Sequence, residues 1–335
     1  MRNLILTLII ILSVLVSGFT QKYTIKFATL APDGSTWLKV MDEYNNEVQQ
    51  LTNGAVKFKI YPGGIQGDEK DVLRKIRLGQ LQSGGFTGVG LGEVLPESRI
   101  LDAPLLFTNY AEVDYVTGAL IDEFIPRFEE AGFVLIGFTE VGFVYVFGNK
   151  PITSIADLKG VKMWMWEGDP IAEATFKALN VTPIPLSIAD VLTSLQTNLI
   201  DAVYTSPLAC VSLQWYTKVK YMMDYPLADA HGAVLIDKKA FNKIKPEYQE
   251  ILLDKGREYM KKLVQLSRED NQQSIELMKK NGIEIVPIPS KNISEFLKAG
   301  QEARESLVGK LYSQALLDTV QNEVARFKAM EKETK

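Results

Sequence analysis

The stretch GVKMWMWEGDPIAEATFKALN (residues 160–180) reads as a short apolar strand, a turn at EGDP and an amphipathic helix. Side chains alternate across a strand, so Val161, Met163 and Met165 face one way while Lys162, Trp164 and Trp166 face the other. Open α/β sheets bind ligands at the C-terminal ends of their strands. Two indoles there make an apolar wall that carries N–H donors. The same pair would serve equally to fill a core or a seam between lobes, and alternation alone does not choose between these roles.

Outward from this unit the alternation continues. YTIKFATLA (23–31) reads as a strand and WLKVMDEYNNEVQQLTNG (37–54) as a helix that stops at Asn53-Gly54. AVKFKIYPGG (55–64) alternates into a Pro-Gly-Gly turn, and DEKDVLRKIRLGQ (68–80) is helical with Val72, Leu73 and Ile76 on one face. FVLIGFTEVGFVYVFGN (133–149) and LIDAVYTSP (199–207) read as strands, and SIADVLTSLQTN (187–198) as a helix. Strands alternating with helices predict α/β lobes with largely parallel sheets, and 335 residues are enough for two of them. One helix exceeds that scale. A periodic pattern opens at Pro246 and runs to Asn281-Gly282 with Gly256 as its only breaker. At 1.5 Å per residue it spans roughly 50 Å, which predicts contact with both lobes. Residues 301–335 read as a C-terminal helical region that packs intramolecularly through Leu307, Leu311, Leu316, Leu317, Val320 and Val324.

The first 20 residues carry Arg2, an apolar core from Leu4 to Leu12 that resumes at Val14 to Val16, and the small residues Ser17 and Gly18. This is the pattern of a secretory signal peptide, and the mature chain is expected to start near Gln21; an uncleaved membrane anchor is the alternative. The net charge of -4, without a basic cluster, argues against a nucleic-acid partner. The single cysteine, Cys210, excludes an internal disulfide and reads as a buried hydrophobe. A reactive thiol would want a histidine nearby, and His231 is the only one in the chain.

Signatures of catalysis are missing: HExxH, paired CxxC, GxSxG and GxxxxGK[ST] do not occur, and no catalytic residue, metal ligand or cofactor is assigned. GGFTGVGLG (84–92) lacks the GxGxxG spacing and reads as a tight turn where backbone approaches backbone or ligand. Asp201, at a strand end, reads as a cap or hinge bond.

Four segments in one collinear order resemble a known family. IYPGGIQGDEKDVLRKIRLGQLQSGG, PLLFTNYAEVDYV, NKPITSIADLKGVKM and ALNVTPIPLSIADVLTSLQTNLIDAVYTSP are similar to the corresponding blocks of the solute receptors of tripartite ATP-independent periplasmic (TRAP) transporters, the dicarboxylate-receptor-like family. The resemblance covers about residues 23 to 290. It implies a two-lobed α/β periplasmic solute-binding fold, type II-like, with crossover strands and a long interlobe helix. It also implies a receptor without catalysis that hands its solute to TRAP membrane subunits, with a periplasmic tetratricopeptide-repeat protein as a further partner in some members. The expected division is residues 21–144 with 229–256 in one lobe, and 145–228 with 257–300 in the other together with the spanning helix.

The opening stretch is where this chain departs from that family. Relatives are expected to place after the L-K-G-x-K segment an Arg that grips the solute carboxylate through two parallel bonds. Trp164 stands there instead. A second Arg of some relatives corresponds to Val144, and an Asn to Thr205 or Ser206. Without that clamp the expected solute is hydrophobic or amphipathic, such as a fatty acid, lipid fragment or aromatic compound. The candidate lining is Trp164, Trp166, Trp37, Phe86, Thr87, Phe143, Leu186, Ile188, Tyr204 and Ser206. An exported enzyme and a ligand sensor reusing the two-lobed fold are the alternative functions.

Overall fold

The apolar run FVLIGFTEVGFVYVFG folds as one 16-residue strand, and both halves of the molecule are built onto it. The computed structural model describes residues 22–334, so the segment read as a signal peptide lies outside the described residues. In chain order the elements are β1 (Tyr23–Ala28), α1 (Thr36–Leu51), β2 (Val56–Tyr61), α2 (Glu69–Arg77), β3 (Ser83–Thr87), α3 (Gly88–Val94), a 3-10 turn at Pro96–Asp102, α4 (Tyr110–Glu130) and β4 (Phe133–Gly148). There follow β5 (Trp164–Trp166), α5 (Pro170–Ala178), β6 (Ile184–Leu186), α6 (Val191–Gln196), β7 (Ala202–Thr205), α7 (Pro207–Ser212), β8 (Tyr221–Asp224) and β9 (Ala228–Asp237). The chain ends with α8 (Lys238–Phe241), α9 (Pro246–Lys280), β10 (Glu284–Pro287), α10 (Ser290–Ser306) and α11 (Gln314–Thr334).

The main sheet runs β10-β8-β4-β9-β3-β1-β2, with β7 also on β4, and β5 pairs with β6 separately. It is mixed. β1 is parallel to β2 and β3, and β8 to β10, but β9 is antiparallel to β3 and β4, and β4 to β7 and β8. The expectation of largely parallel sheets is corrected here, for a topological reason. A chain that leaves one half along β4 and returns to it along β9 must run those two neighbours in opposite directions.

Within β4 the partners change. Phe133 to Val144 pair with β9, whereas Tyr145 to Gly148 pair with β7 and the last two also with β8. The fold is thus the two-lobed solute-binding architecture, with β4 and β9 as crossover strands. Register shifts interrupt the β4–β9 ladder between Leu135 and Gly137 and between Glu140 and Gly142. Gly142 has φ 105°, and a Cβ there would lie 2.4 Å from Asn271 Nδ2. Asn271, on α9, donates to the Val141 carbonyl at 2.8 Å and accepts from the Leu208 amide at 2.8 Å, pinning the long helix to the crossover strand and to α7.

Helix α9 is 35 residues long, and its buried stripe is Leu252, Gly256, Met260, Leu263, Ser267, Asn271, Ser274 and Met278, at spacings of three or four. Its first half packs with Val40, Met41, Tyr44 and Ile136 in one core; Met278 packs with Phe147, Trp215 and Met222 in another. It therefore joins the cores of both lobes. The other face of the first-lobe sheet is covered by α4 and α11, through Phe124, Phe128, Leu317 and Val320. No helix among the described residues is long and apolar enough to cross a membrane.

Candidate ligand-binding site

Strand β5 is only WMW, held parallel to β6 with Trp164 opposite Ile184 and Trp166 opposite Leu186. The alternation brings both indoles to one side, where Tyr204 of β7 meets them. Trp164 stacks on Tyr204 at 5.0 Å between ring centroids and on Trp166 at 6.4 Å, and it meets Trp215 edge-on at 5.2 Å. Each indole N–H is satisfied: Trp164 donates to the Leu186 carbonyl, and Trp166 to Asp68 Oδ2, both at 3.1 Å. The Tyr204 hydroxyl accepts the Trp166 amide at 3.2 Å. Trp164 is 2% exposed and still borders a cavity, so it is at once a core residue and a cavity wall.

That cavity has a volume of about 230 Å³ and is lined chiefly by apolar atoms drawn from both lobes. Of the candidates read from sequence, Trp164, Trp166, Trp37, Phe86, Thr87, Ile188, Tyr204 and Ser206 line it. Phe143 and Leu186 are not among its lining residues. Phe143 follows the bulge at Gly142 and stacks against Tyr110 of α4, with centroids 4.7 Å apart. Leu186 serves through its carbonyl, which holds the Trp164 indole. Two of the polar candidates have structural duties: Ser206 caps α7 by accepting the Ala209 amide, and Thr87 caps α3. Val144 and Thr205 also line the cavity.

The glycine-rich segment departs from the expected turn. Residues 83–87 form a strand and 88–94 a helix, so GGFTGVGLG spans a strand-to-helix junction. Its glycines admit charged side chains: a Cβ on Gly88 would lie 1.8 Å from Asp102 Oδ2, and one on Gly90 2.8 Å from Glu69 Oε2. Glu69 accepts the amides of Thr87 at 2.7 Å and Gly90 at 2.6 Å, and the Thr87 hydroxyl at 3.0 Å. Burial pushes its carboxyl up to about 7 against the pull of those donors.

Sequence reading missed the buried ionic groups at this cavity. Arg99 places Nη2 2.9 Å from Asp169 Oδ1 and Nε 2.8 Å from Asp102 Oδ2. Asp169 also caps α5 through the Ile171 amide. Because Arg99 belongs to the turn after α3 and Asp169 to the start of α5, the pair bridges the lobes, as does the bond from Trp166 to Asp68. Asp102 Oδ1 accepts the His231 amide at 2.8 Å. His231 Nδ1 lies 3.1 Å from Asp229 Oδ2, and Nε2 lies 3.0 Å from Thr117 Oγ1. Burial alone would lower the imidazole pKa, but the charges of Asp229 and then Asp102 raise it to about 9. The Asp229 carboxyl is pushed well up by burial and by Glu140, against the opposing pull of His231. No sequence spacing announces these groups.

No group of His, Cys, Asp and Glu among the described residues could hold a metal ion. Cys210 is fully buried, and burial pushes its thiol far up, away from nucleophilic use.

Comparison with known proteins covers most of the chain. Residues 27–310 match the family model DctP, bacterial extracellular solute-binding protein, family 7. The chain is 30% identical over 276 residues to the 2,3-diketo-L-gulonate-binding periplasmic protein YiaO of Escherichia coli, covering 79% of this chain and 81% of that relative. It is 24% identical over 234 residues to the C4-dicarboxylate-binding periplasmic protein DctP of Rhodobacter capsulatus, covering 68% and 69%. In fold it resembles a TRAP periplasmic solute binding protein from Desulfovibrio salexigens solved with bound orotic acid, with a TM-score of 0.84, 21% identity, and coverage of 91% and 99%.

Proposed function

The chain belongs to the DctP family of bacterial extracellular solute-binding proteins, family 7, and on that premise we propose that its interlobe cavity holds a compact hydrophobic or amphipathic solute. The family role is that of a receptor for TRAP transporters: it binds a small molecule and delivers it to the membrane subunits, and its relatives are substrate-binding proteins of the periplasm, not enzymes. The leader pattern of residues 1–20 supports the same destination for this chain.

The relatives named above take acids: a diketogulonate, C4 dicarboxylates and orotic acid. The observation that supports a different ligand here is the cavity wall. Trp164, Trp166, Tyr204 and Phe176 line it, and its one guanidinium, Arg99, is already held between Asp102 and Asp169. A solute carboxylate would have to displace one of those two buried partners. Binding an anion beside the remaining one costs more than it gains unless a further cation is supplied. Ligand pockets commonly enclose roughly 300–1,000 Å³, and 230 Å³ suits a short-chain or aromatic compound better than a full-length fatty acid.

Native mass spectrometry of freshly purified protein, followed by extraction of whatever is bound, tests this. The expected outcome is a compact aromatic or aliphatic molecule whose re-addition raises the melting temperature, because a ligand of the folded state stabilises it by mass action. Saturable micromolar binding of a C4 dicarboxylate or a sugar acid in calorimetry would overturn the reading.

A further inference from the structure

Four carboxylates reach the cavity, Glu69, Asp102, Asp169 and Asp229, against the single guanidinium of Arg99. Three of the four are engaged. Glu69 accepts the Thr87 and Gly90 amides at the start of α3, Asp169 caps α5 and pairs with Arg99, and Asp102 takes the His231 amide and lies against Arg99 Nε. Asp229 differs. It is fully buried, yet neither of its oxygens accepts an aligned hydrogen bond, although His231 Nδ1 stands 3.1 Å from Oδ2.

The acceptor capacity of Asp229 is unmet, and burial together with Glu140 works against its ionised form, so a cationic donor entering the cavity would supply both the hydrogen bond and the compensating charge. The other charged groups acting on Asp229 are Glu140, Asp102 and Arg268. Arg268 is held by Glu140 and Asp114, which leaves it little to give. His231, when protonated, is shared between Asp229 and Asp102, whose nearest oxygens lie 3.1 Å and 3.7 Å from Nδ1. The rest of the wall adds a second, independent indication. Ring faces are electron-rich and attract cations, and Trp164, Trp166 and Tyr204 form one stacked set on the lining. A buried carboxyl whose oxygens accept no aligned hydrogen bond and an aromatic wall ask for the same chemistry.

Resting on the reading of this cavity as the solute site, we propose that the solute is an organic cation: an amphipathic amine whose ammonium donates to Asp229 and whose apolar body lies against the Trp164–Tyr204 wall. Asp229 is then a specificity-determining residue, and the receptor selects against the anions that its relatives' names record.

The test uses three probes of similar size on the purified, ligand-stripped chain: 2-phenylethylamine, 2-phenylethanol and 3-phenylpropionate, each titrated by calorimetry. The amine is expected to bind at least about 10-fold tighter than the alcohol, with the carboxylate weakest, on the scale of a hydrogen bond to a charged group. Asp229→Asn should weaken the amine by about 10- to 100-fold and change the alcohol by less than about 3-fold. If that variant does not fold, the ranking on the unaltered protein decides. Equal binding of amine and alcohol overturns the cation inference and leaves the apolar receptor reading standing. Tightest binding of the carboxylate overturns both. Saturation by none of the three up to about 10 mM counts against the cation inference alone, because an ammonium meeting a buried carboxylate and an aromatic wall should bind within that range.

Discussion

Asp169→Asn should loosen the closure of the lobes without weakening either lobe. Asp169 and Arg99 are 6% and 4% exposed, and their 2.9 Å bond joins the two halves of the molecule beside the cavity. Removing one partner of a buried pair costs about 3–5 kcal/mol when the other is stranded. Arg99 is not stranded here, since Asp102 Oδ2 stays 2.8 Å from its Nε, and an amide oxygen at position 169 can still accept. The expected cost is therefore the difference between a charge-assisted bond and a weaker one, about 1–2 kcal/mol, and it falls on the closed arrangement alone because separated lobes hydrate both groups. The open population should rise about 5- to 30-fold, and a solute that binds only the closed form should lose affinity by the same factor. Asparagine caps helices as well as aspartate, so α5 keeps its start and the melting temperature of the ligand-free protein should stay nearly constant. Small-angle scattering should report a larger radius for the variant, and calorimetry with the compound recovered from the protein should report the affinity loss. An unchanged scattering profile together with unchanged affinity would show that the Arg99–Asp169 bond does not hold the lobes, and the reasoning would fail.

Trp164→Ala should lower stability by about 3 kcal/mol, the low end for a buried aromatic because one side of the indole already borders empty space, and it should also weaken solute binding; thermal denaturation with and without solute separates the two losses, and an unchanged melting temperature would show the ring is not core. Gly256→Ala gains helix propensity of about 1 kcal/mol but sets a Cβ 2.3 Å from Ile136 Cγ2, so a net loss of about 1–2 kcal/mol by denaturant titration is expected as α9 is pushed off β4; a stabilised variant would contradict that close approach. His231, raised from 6.5 to about 9, gives stability that is fully present below pH 6.5 and is lost as pH rises through about 9, so the melting temperature should fall across that window; a His231→Gln variant with the same slope would assign the effect elsewhere.

How far the sequence carries depends on whether side-chain period survives the folding of each segment. The long helix was legible because its buried positions keep spacings of three and four from Leu252 to Met278, a pattern that tertiary contacts do not alter. The 16-residue crossover strand was legible as a strand from its own pattern, whereas the division expected at 144/145 came from the family resemblance alone, since pairing is decided by segments more than 50 residues away. GGFTGVGLG was misread because glycine supplies no side chain for a period to act on. Its strand and helix follow from Glu69, which receives two of its amides, and from Asp102, which fills the space beside Gly88.

The site divides along the same line. Trp164 and Trp166 could be placed by alternation because β5 is regular, whereas Phe143 could not, because the bulge at Gly142 reverses the parity of everything after it. Arg99, Asp169 and Asp229 belong to three elements that only the topology brings together, so no spacing connects them. The Trp at the position where relatives are expected to carry Arg was read as the loss of a charge, leaving an apolar cavity by subtraction. In the folded chain the cavity is not uncharged: four carboxylates border it, and the one guanidinium among them serves to bridge two of those carboxylates and the two lobes. An arginine at position 164 would bring a second cation to the wall of the cavity that Arg99, Asp102 and Asp169 also line, and would cost the aromatic contacts with Tyr204, Trp166 and Trp215. The indole keeps those contacts. It packs the second-lobe core, spends its N–H on the Leu186 carbonyl, and leaves the acidic groups to set the charge of whatever enters.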